Sequence, residues 1–352
     1  MKDLKIVRRH GYQYGILLLF LLLIVVICSA SFGSADLSII DSLKIIASKI
    51  PVFGDNIDIS NIKEVYIKIV WKVRMPRIIL AGFTGCGLSV VGATFQGLFK
   101  NPLADPHILG VSSGAAVGAT IAMLTGFGMD VFGLGVIGIF AFVAALLTVF
   151  IVYQIACVGN KVSTINIILT GTAVSTMLSA IISLLMAFHH EQIEKVYLWT
   201  LGSFSAATWT KVLFLTVFVV ICTGAIFIFA KELDIITTGQ ESAESLGIDT
   251  ARIKKILIIL ASILVAACVS VSGIIGFVGL IIPHCIRLIN GPKHRQLLPL
   301  ATIAGASFII ICDTIGRNVA APTEIPVGVI TTAIGTPFLI FLLQRNKRKL
   351  GS

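Results

Sequence analysis

The sequence predicts an all-α, polytopic membrane protein, and two observations support that prediction. Hydrophobic residues make up 57% of the 352 residues and charged residues only 12%, whereas a soluble domain has about 25% charged residues. Apolar windows of about 20 residues, the length of a membrane-spanning helix, recur about ten times along the chain. We therefore expect residues 1–352 to form a single transmembrane domain with about ten spans.

The predicted spans alternate with short polar connections. They are 14–34, 78–99, 108–126, 131–157, 164–188, 210–230, 253–272, 275–290, 298–315 and 327–344. The first window is longer than the apolar region of a signal peptide, so we expect a retained helix. If the N-terminus lies inside, most of the 27 Lys and Arg residues fall in cytoplasmic segments. The positive-inside rule therefore predicts that both termini are cytoplasmic.

Two polar segments stand out between the spans. Residues 35–73 are too polar to cross a membrane and are predicted to be an extracytoplasmic loop. Apolar residues recur within this loop at Leu37, Ile40 and Leu43, a helical spacing that predicts a short amphipathic surface helix. Residues 231–252 form the second polar segment and are predicted to lie in the cytoplasm between the sixth and seventh spans.

The cytoplasmic segment contains a candidate two-turn helix with marked ends. Thr238 is a candidate N-cap, Glu241 would complete a capping box, and Gly247 suits the left-handed residue that ends a helix. Ala243 and Leu246 would form a narrow apolar stripe. Because so short a helix is marginal in water, we expect it to dock against another surface. The local pattern leaves a solvated loop as the alternative.

Small residues follow a four-residue spacing in the second and third spans. The two series are Gly85, Ser89, Ala93 and Gly97, and then Gly110, Gly114, Gly118, Ala122 and Gly126. Small residues at this spacing let membrane helices approach closely, which predicts a packing role. The alternative is that part of either series lines a path for a bulky ligand.

Several function classes are disfavoured. The net charge of +10 reflects basic residues beside spans, so no nucleic-acid partner is expected. The seven cysteines are scattered without a CxxC pair, and His189 and His190 lack further ligands, so we expect no metal site and no cofactor. No Gly-Lys dipeptide occurs, which excludes a Walker A loop in this chain. The chain is therefore not expected to be an enzyme.

An ion-coupled secondary transporter is the alternative from another class. Such proteins usually keep acidic residues at membrane depth, and the predicted spans contain almost none. The nearest candidate, Asp313, lies four residues before Arg317, where a helical ion pair is the simpler interpretation.

Motifs along nearly the whole chain after the first span resemble one family. They are RMPR at 74–77, GATFQGLFKNPLADPHILGVSSGAAVGA at 92–119, GQESAESLG at 239–247, GFVGLIIPHCIR at 276–287, CDTIGR at 312–317 and EIPVGVITTAIGTPFLIFLL at 324–343. In this order they are similar to the permease subunits of ATP-binding-cassette (ABC) importers for iron chelates, haem and cobalamin.

The resemblance implies roles for particular residues. Those matching the helix that couples to a partner ATPase are Thr238, Gly239, Glu241, Ala243, Glu244, Leu246 and Gly247. Arg74, Arg77 and Arg317 match arginines that receive acidic residues of an extracytoplasmic binding protein. The alternative for Arg317 is a pair with Asp313 or Glu324, and for the other two, contact with lipid headgroups. Ser163 and Thr164 match an inner gate but could equally be an ordinary helix cap.

The resemblance also implies an assembly in the cell membrane. Two permease subunits, identical by default although a paralogous partner is possible, would enclose the path between them. Two cytoplasmic ATPase subunits and a substrate-binding protein would complete it. A ferric siderophore is the expected cargo, with haem, cobalamin or an oxyanion such as molybdate as alternatives.

Overall fold

The chain is described by a computed structural model that covers residues 2–33, 37–49, 57–126, 134–158 and 161–350. Helices dominate these ranges. The α-helices are α1 (Lys2–Ser31), α2 (Ile39–Ser48), α3 (Glu64–Lys68), α4 (Met75–Leu98), α5 (Val111–Thr125), α6 (Gly135–Ala156), α7 (Thr164–Phe188), α8 (Ile193–Thr200), α9 (Trp209–Ile228), α10 (Ala230–Thr238), α11 (Gln240–Ser245), α12 (Thr250–Ser272), α13 (Val278–Asn290), α14 (His294–Asn318) and α15 (Val327–Leu350).

Shorter elements connect these helices. A π-helical turn, Ile69–Arg74, joins α3 to α4, and 3-10 turns occupy Pro106–Leu109 and His190–Gln192. The strands β1 (Cys157–Val158) and β2 (Lys161–Val162) pair antiparallel after α6. Because each strand has only two residues, the predicted all-α fold class is confirmed.

Seven helical segments of the described chain are long and apolar enough to cross a membrane. They are α1, the continuous run from α3 through α4, α6, α7, α9, α12 and α14. Three shorter apolar helices, α5, α13 and the first part of α15, coincide with the remaining predicted spans. Multi-pass membrane insertion follows, whereas the count of ten and the side of each terminus stay predictions.

The second span begins earlier than predicted. Helical structure runs unbroken over 35 residues from Glu64 to Leu98, although the sequence predicts a loop up to residue 73. Charged residues such as Lys68 and Lys72 interrupt the apolar window there and hide the continuation of the helix. The predicted surface helix is present as α2, where the Asp41 backbone N–H donates to the N-cap oxygen Ser38 Oγ at 3.0 Å.

Helix α4 forms the centre of the molecule. Nearly every residue from Met75 to Leu98 is buried, with α9, α12, α13 and α14 packed around it. A Cβ added at Gly85 would overlap the carbonyl oxygen of Gly305 in α14, and one at Gly92 would overlap that of Gly279 in α13. The small residues of α4 therefore bring helix backbones into direct contact, as predicted.

The small residues of α5 act in the same way toward α6. A Cβ at Gly114 would overlap the side chain of Thr148, and one at Gly118 would overlap the carbonyl oxygen of Phe140. Gly110, with φ +75°, ends the 3-10 turn before α5. Packing thus accounts for Gly114 and Gly118 in the predicted α5 series.

Candidate coupling and docking sites

The polar segment between α9 and α12 forms two short helices that meet at Gly239. The predicted N-cap at Thr238 is wrong, because Thr238 is the last residue of α10 and its hydroxyl donates to the Ile235 carbonyl at 2.8 Å. Gly239 occupies the N-cap position of α11, where no side chain makes a capping hydrogen bond. The expected capping box with Glu241 is therefore absent. Helix α10 continues through Thr238, farther than the sequence predicts.

The end of α11 is as predicted. Gly247 has φ +79°, and its backbone N–H donates to the Glu244 carbonyl at 2.9 Å while that of Ile248 donates to the Ala243 carbonyl at 3.1 Å. These two bonds and the left-handed glycine constitute a Schellman motif. The motif ends the helix sharply and turns the chain toward α12.

The predicted apolar stripe of α11 divides into two faces. Ala243 is completely buried, whereas Leu246 is 69% exposed. The expectation that both residues form one docking stripe is therefore wrong. Leu246 is the C-cap residue and follows Ser245, the last residue of α11. Ala243 fixes α11 to its own chain, and Leu246 presents an apolar side chain outward.

Polar contacts also hold α11 against α12. Glu244 Oε1 accepts hydrogen bonds from Gln240 Nε2 and Thr250 Oγ1, both at 2.9 Å. Lys254 Nζ donates to Gln240 Oε1 at 3.0 Å. A helix of only six residues thus gains a fixed position from its own chain, which favours the helix over the solvated-loop alternative.

A partly buried pair joins α10 to the start of α14. Asp234 Oδ1 accepts a hydrogen bond from the His294 backbone N–H at 2.7 Å and lies 2.7 Å from His294 Nδ1. The His294 side chain is buried beside Gly97 at the end of α4. Helix α10 therefore contacts α14 and α4 as well as its chain neighbour α9, while α11 contacts α12. Sequence reasoning missed this pair because its members lie 60 residues apart.

At the opposite end of α4 and α14, Arg77 bridges two carboxylates. Its guanidinium donates to Asp313 at 2.9 to 3.1 Å and to Glu324 at 2.9 to 3.0 Å. The Arg77 and Asp313 side chains are 8% and 3% exposed, whereas Glu324 is 43% exposed. A buried pair and a partly exposed pair thus share one arginine.

The other two arginines, Arg74 and Arg317, form hydrogen bonds with the last turn of α1. Arg74 Nη1 donates to the carbonyls of Ala30 at 2.7 Å and Ser31 at 3.0 Å. Arg317 Nη2 donates to Ser29 Oγ at 2.8 Å, and its Nε lies 3.4 Å from Asp313 Oδ2. The predicted set of three arginines therefore lies together, but with the guanidinium groups turned into the protein. This geometry matches the alternative of an Arg317 pair with Asp313.

The predicted gate residues lie at the start of α7. Ser163 is exposed and occupies the N-cap position, but its side chain makes no capping bond. The side chain of Thr164 lies outside the described residues. Farther along α7, exposed hydroxyls recur at Thr172, Thr176 and Ser179, and each donates to a carbonyl of its own helix. Sequence reasoning missed this polar series, although its residues are visible in the sequence.

Comparison with known proteins agrees with this architecture. The chain is 42% identical over 276 residues to the cobalamin import system permease protein BtuC of Halobacterium salinarum, covering 78% of this chain and 73% of that protein. It is 33% identical over 337 residues to the molybdate import system permease protein MolB of Haemophilus influenzae, covering 94% and 95%.

A solved structure has the same fold over nearly the whole chain. It is described as an inward-facing conformation of an ABC transporter of the metal-chelate type, with a TM-score of 0.79, 31% identity and coverage of 95% of this chain and 99% of that one. The model of the FecCD transport family matches residues 21–345. The chain therefore belongs to the FecCD transport family and is a multi-pass ABC permease of the cell membrane.

Proposed function

We propose that this chain forms the membrane path of an importer that moves a metal chelate into the cytoplasm, driven by two copies of a partner ATPase. The observation that carries the proposal is the presentation of α11, whose Leu246 is 69% exposed on a helix fixed by its own chain. An exposed leucine on an ordered helix suits insertion into an apolar cleft of a partner. ATP hydrolysis belongs to that partner, and this chain transmits the resulting movement.

The contacts of α10 and α11 suggest how movement would spread. A pull on α11 acts on α12 through Gln240 and Lys254. It also acts on α14 through Asp234 and His294. Since α14 packs along α4 through Gly85 and Gly305, the displacement would reach the central helix of the subunit.

A second permease subunit would cover α7. Only 11% of the apolar window in α7 is buried within one chain. The hydroxyl groups exposed along this helix keep acceptor capacity while they donate to their own helix, so they would suit a path that carries a polar cargo. Two identical subunits are the simplest assembly, and a paralogous partner is the alternative. Ser163 and Thr164 would lie at the cytoplasmic entrance to this path.

We propose that the extracytoplasmic binding protein docks near Arg77 by exchange of carboxylates. Glu324 is the partly exposed partner of Arg77, so an acidic residue of the binding protein would compete with Glu324 for that guanidinium. Guanidinium groups favour such bidentate carboxylate contacts. Arg74 and Arg317, which bind α1, would support the site in this scheme. Glu324→Gln should strengthen docking and Arg77→Gln should weaken it.

A ferric siderophore is the proposed cargo, and cobalamin is a second candidate because the relative from Halobacterium salinarum is named for cobalamin import. The affinity of the associated binding protein for ferric siderophores, haem and cobalamin, measured side by side, distinguishes these cargoes. Selective binding of molybdate would contradict both candidates.

Ion-coupled secondary transport is the weaker alternative. The nearest candidate for a coupling acid, Asp313, is paired with Arg77 and Arg317. Its ion pairs with these arginines account for a buried carboxylate without any role in carrying an ion.

The proposed coupling is tested by Leu246→Glu, with Val319→Glu as a matched control. The two side chains are 69% and 70% exposed, and Val319 follows α14 at the opposite end of the molecule. Leu246→Glu should abolish co-purification of the ATPase while the permease remains inserted, because burying a charge in an apolar cleft is costly. The control should retain the ATPase. Equal recovery of ATPase with both variants would contradict the coupling role of α11.

A further inference from the structure

A groove of about 300 Å³ runs between α6 and α12 on the outer surface of the helix bundle. Phe150 and Ile259, which line it, are 59% and 46% exposed. Large apolar side chains on the surface of a membrane-spanning bundle face hydrocarbon. The groove is therefore open to the bilayer.

The two ends of the groove differ in polarity. Tyr153, Gln154 and Lys255 line one end, where α6 finishes and α12 begins. Leu146 and Ile263 line the other end. Seven residues of α6 separate Leu146 from Tyr153, which corresponds to about 10 Å along a helix. The groove thus changes from polar to apolar over the distance that separates a lipid headgroup from its acyl chains.

A buried hydroxyl lies within this length. Ser262 is 2% exposed, lines the groove, and its Oγ has no hydrogen-bond partner among the described residues. Serine hydroxyls in membrane helices usually donate to a backbone carbonyl of their own helix. A buried polar atom without a partner is costly, so an acceptor group supplied by a ligand would satisfy it.

The positive charge of Lys255 favours a ligand with an anionic headgroup. Lys255 is exposed, and no described residue forms an ion pair with it. Its end of α12 is predicted to be cytoplasmic, where the membrane leaflet carries anionic lipids that attract basic side chains. We propose that the groove binds one anionic phospholipid of the cytoplasmic leaflet. Its phosphate lies at Lys255, an ester carbonyl accepts from Ser262 Oγ, and an acyl chain lies along Leu146 and Ile263.

The position of this site connects it to the coupling segment. Lys255 adjoins Lys254, whose Nζ donates to Gln240 of α11 at 3.0 Å. A lipid bound at Lys255 would therefore hold the second turn of α12 next to the segment that presents Leu246. The lipid site itself depends on the orientation of the chain and not on the proposed coupling.

Native mass spectrometry of the purified transporter complex tests the proposal. Phosphatidylglycerol and phosphatidylcholine of the same chain length are added in turn to wild type, Lys255→Gln and the control Lys195→Gln. Lys195 is an exposed lysine at the end predicted to be extracytoplasmic. Lys255→Gln should reduce phosphatidylglycerol retention about fivefold and leave phosphatidylcholine unchanged, while Lys195→Gln should match wild type. Equal retention of both lipids by wild type, or of phosphatidylglycerol by wild type and Lys255→Gln, would overturn the proposal.

A photo-crosslinking residue at Phe150 identifies the occupant directly. A lipid adduct, reduced when Ile259→Trp fills the groove, is the expected product. Crosslinking to a second permease subunit would show that the groove is a subunit interface and would overturn the lipid assignment.

Discussion

Because Arg77 and Arg317 share the carboxylate of Asp313, we expect loss of Asp313 to lower the free energy of unfolding more than loss of Glu324. Asp313 is 3% exposed and accepts from Arg77 at 2.9 Å, with Arg317 at 3.4 Å. Asp313→Ala leaves the buried guanidinium groups of Arg77 and Arg317 without the carboxylate that they share. Removal of one partner from a buried ion pair costs about 3 to 5 kcal/mol. The same change at Glu324, which is 43% exposed, should cost at most about 1 kcal/mol.

Unfolding of the purified permease in mixed micelles, titrated with a denaturing detergent, measures both changes. Glu64→Ala is the matched control, because Glu64 pairs with Lys68 at 2.7 Å where both side chains are exposed. The control should unfold like wild type. A free-energy change for Asp313→Ala no larger than that for Glu324→Ala would refute the interpretation that burial makes the Asp313 pair the more important of the two.

Three further predictions follow from the packing and the orientation. Asp234→Ala should leave the ATPase bound but lower the uptake per ATP hydrolysed several-fold, because α14 loses the Asp234–His294 contact with α10. An unchanged ratio of uptake to ATP hydrolysis would contradict transmission of movement through this pair. Gly85→Val should reduce folded yield, since its Cβ overlaps a backbone carbonyl, whereas Gly224→Val should not, since no atom lies within 4 Å; equal yields would contradict the close contact of α4 and α14. In a cysteine-free background, Leu246→Cys should react with an impermeant reagent only from the cytoplasm and Asp58→Cys only from outside, and the reverse pattern would overturn the orientation.

Local patterns predicted most of the fold. Apolar windows located the helices, the four-residue spacing at Gly85 predicted backbone contact, and Gly247 predicted the end of α11. These features depend on residues close in sequence or on composition. The continuation of helix through Lys68 and Lys72 was missed because the apolar-window criterion stops at charge.

Contacts between distant residues could not be predicted in the same way. Arg77 and Glu324 are 247 residues apart in the sequence. Whether Arg77 bonds Glu324 or faces solvent therefore depends on how distant helices pack. The different exposures of Ala243 and Leu246 depend on how α11 packs against the rest of the chain. The resemblance predicted that Arg74, Arg77 and Arg317 lie at one end of the molecule, as they do. Their partners inside the protein became visible only in the structure.

Transport in proteoliposomes tests the central claim most directly. The permease is reconstituted with its partner ATPase, and the binding protein is supplied with ferric siderophore, haem or cobalamin in separate experiments. Uptake of one of these chelates should require hydrolysable ATP on the side that Leu246 faces and should persist when ionophores collapse all ion gradients. Uptake driven by an ion gradient without ATP would contradict the account.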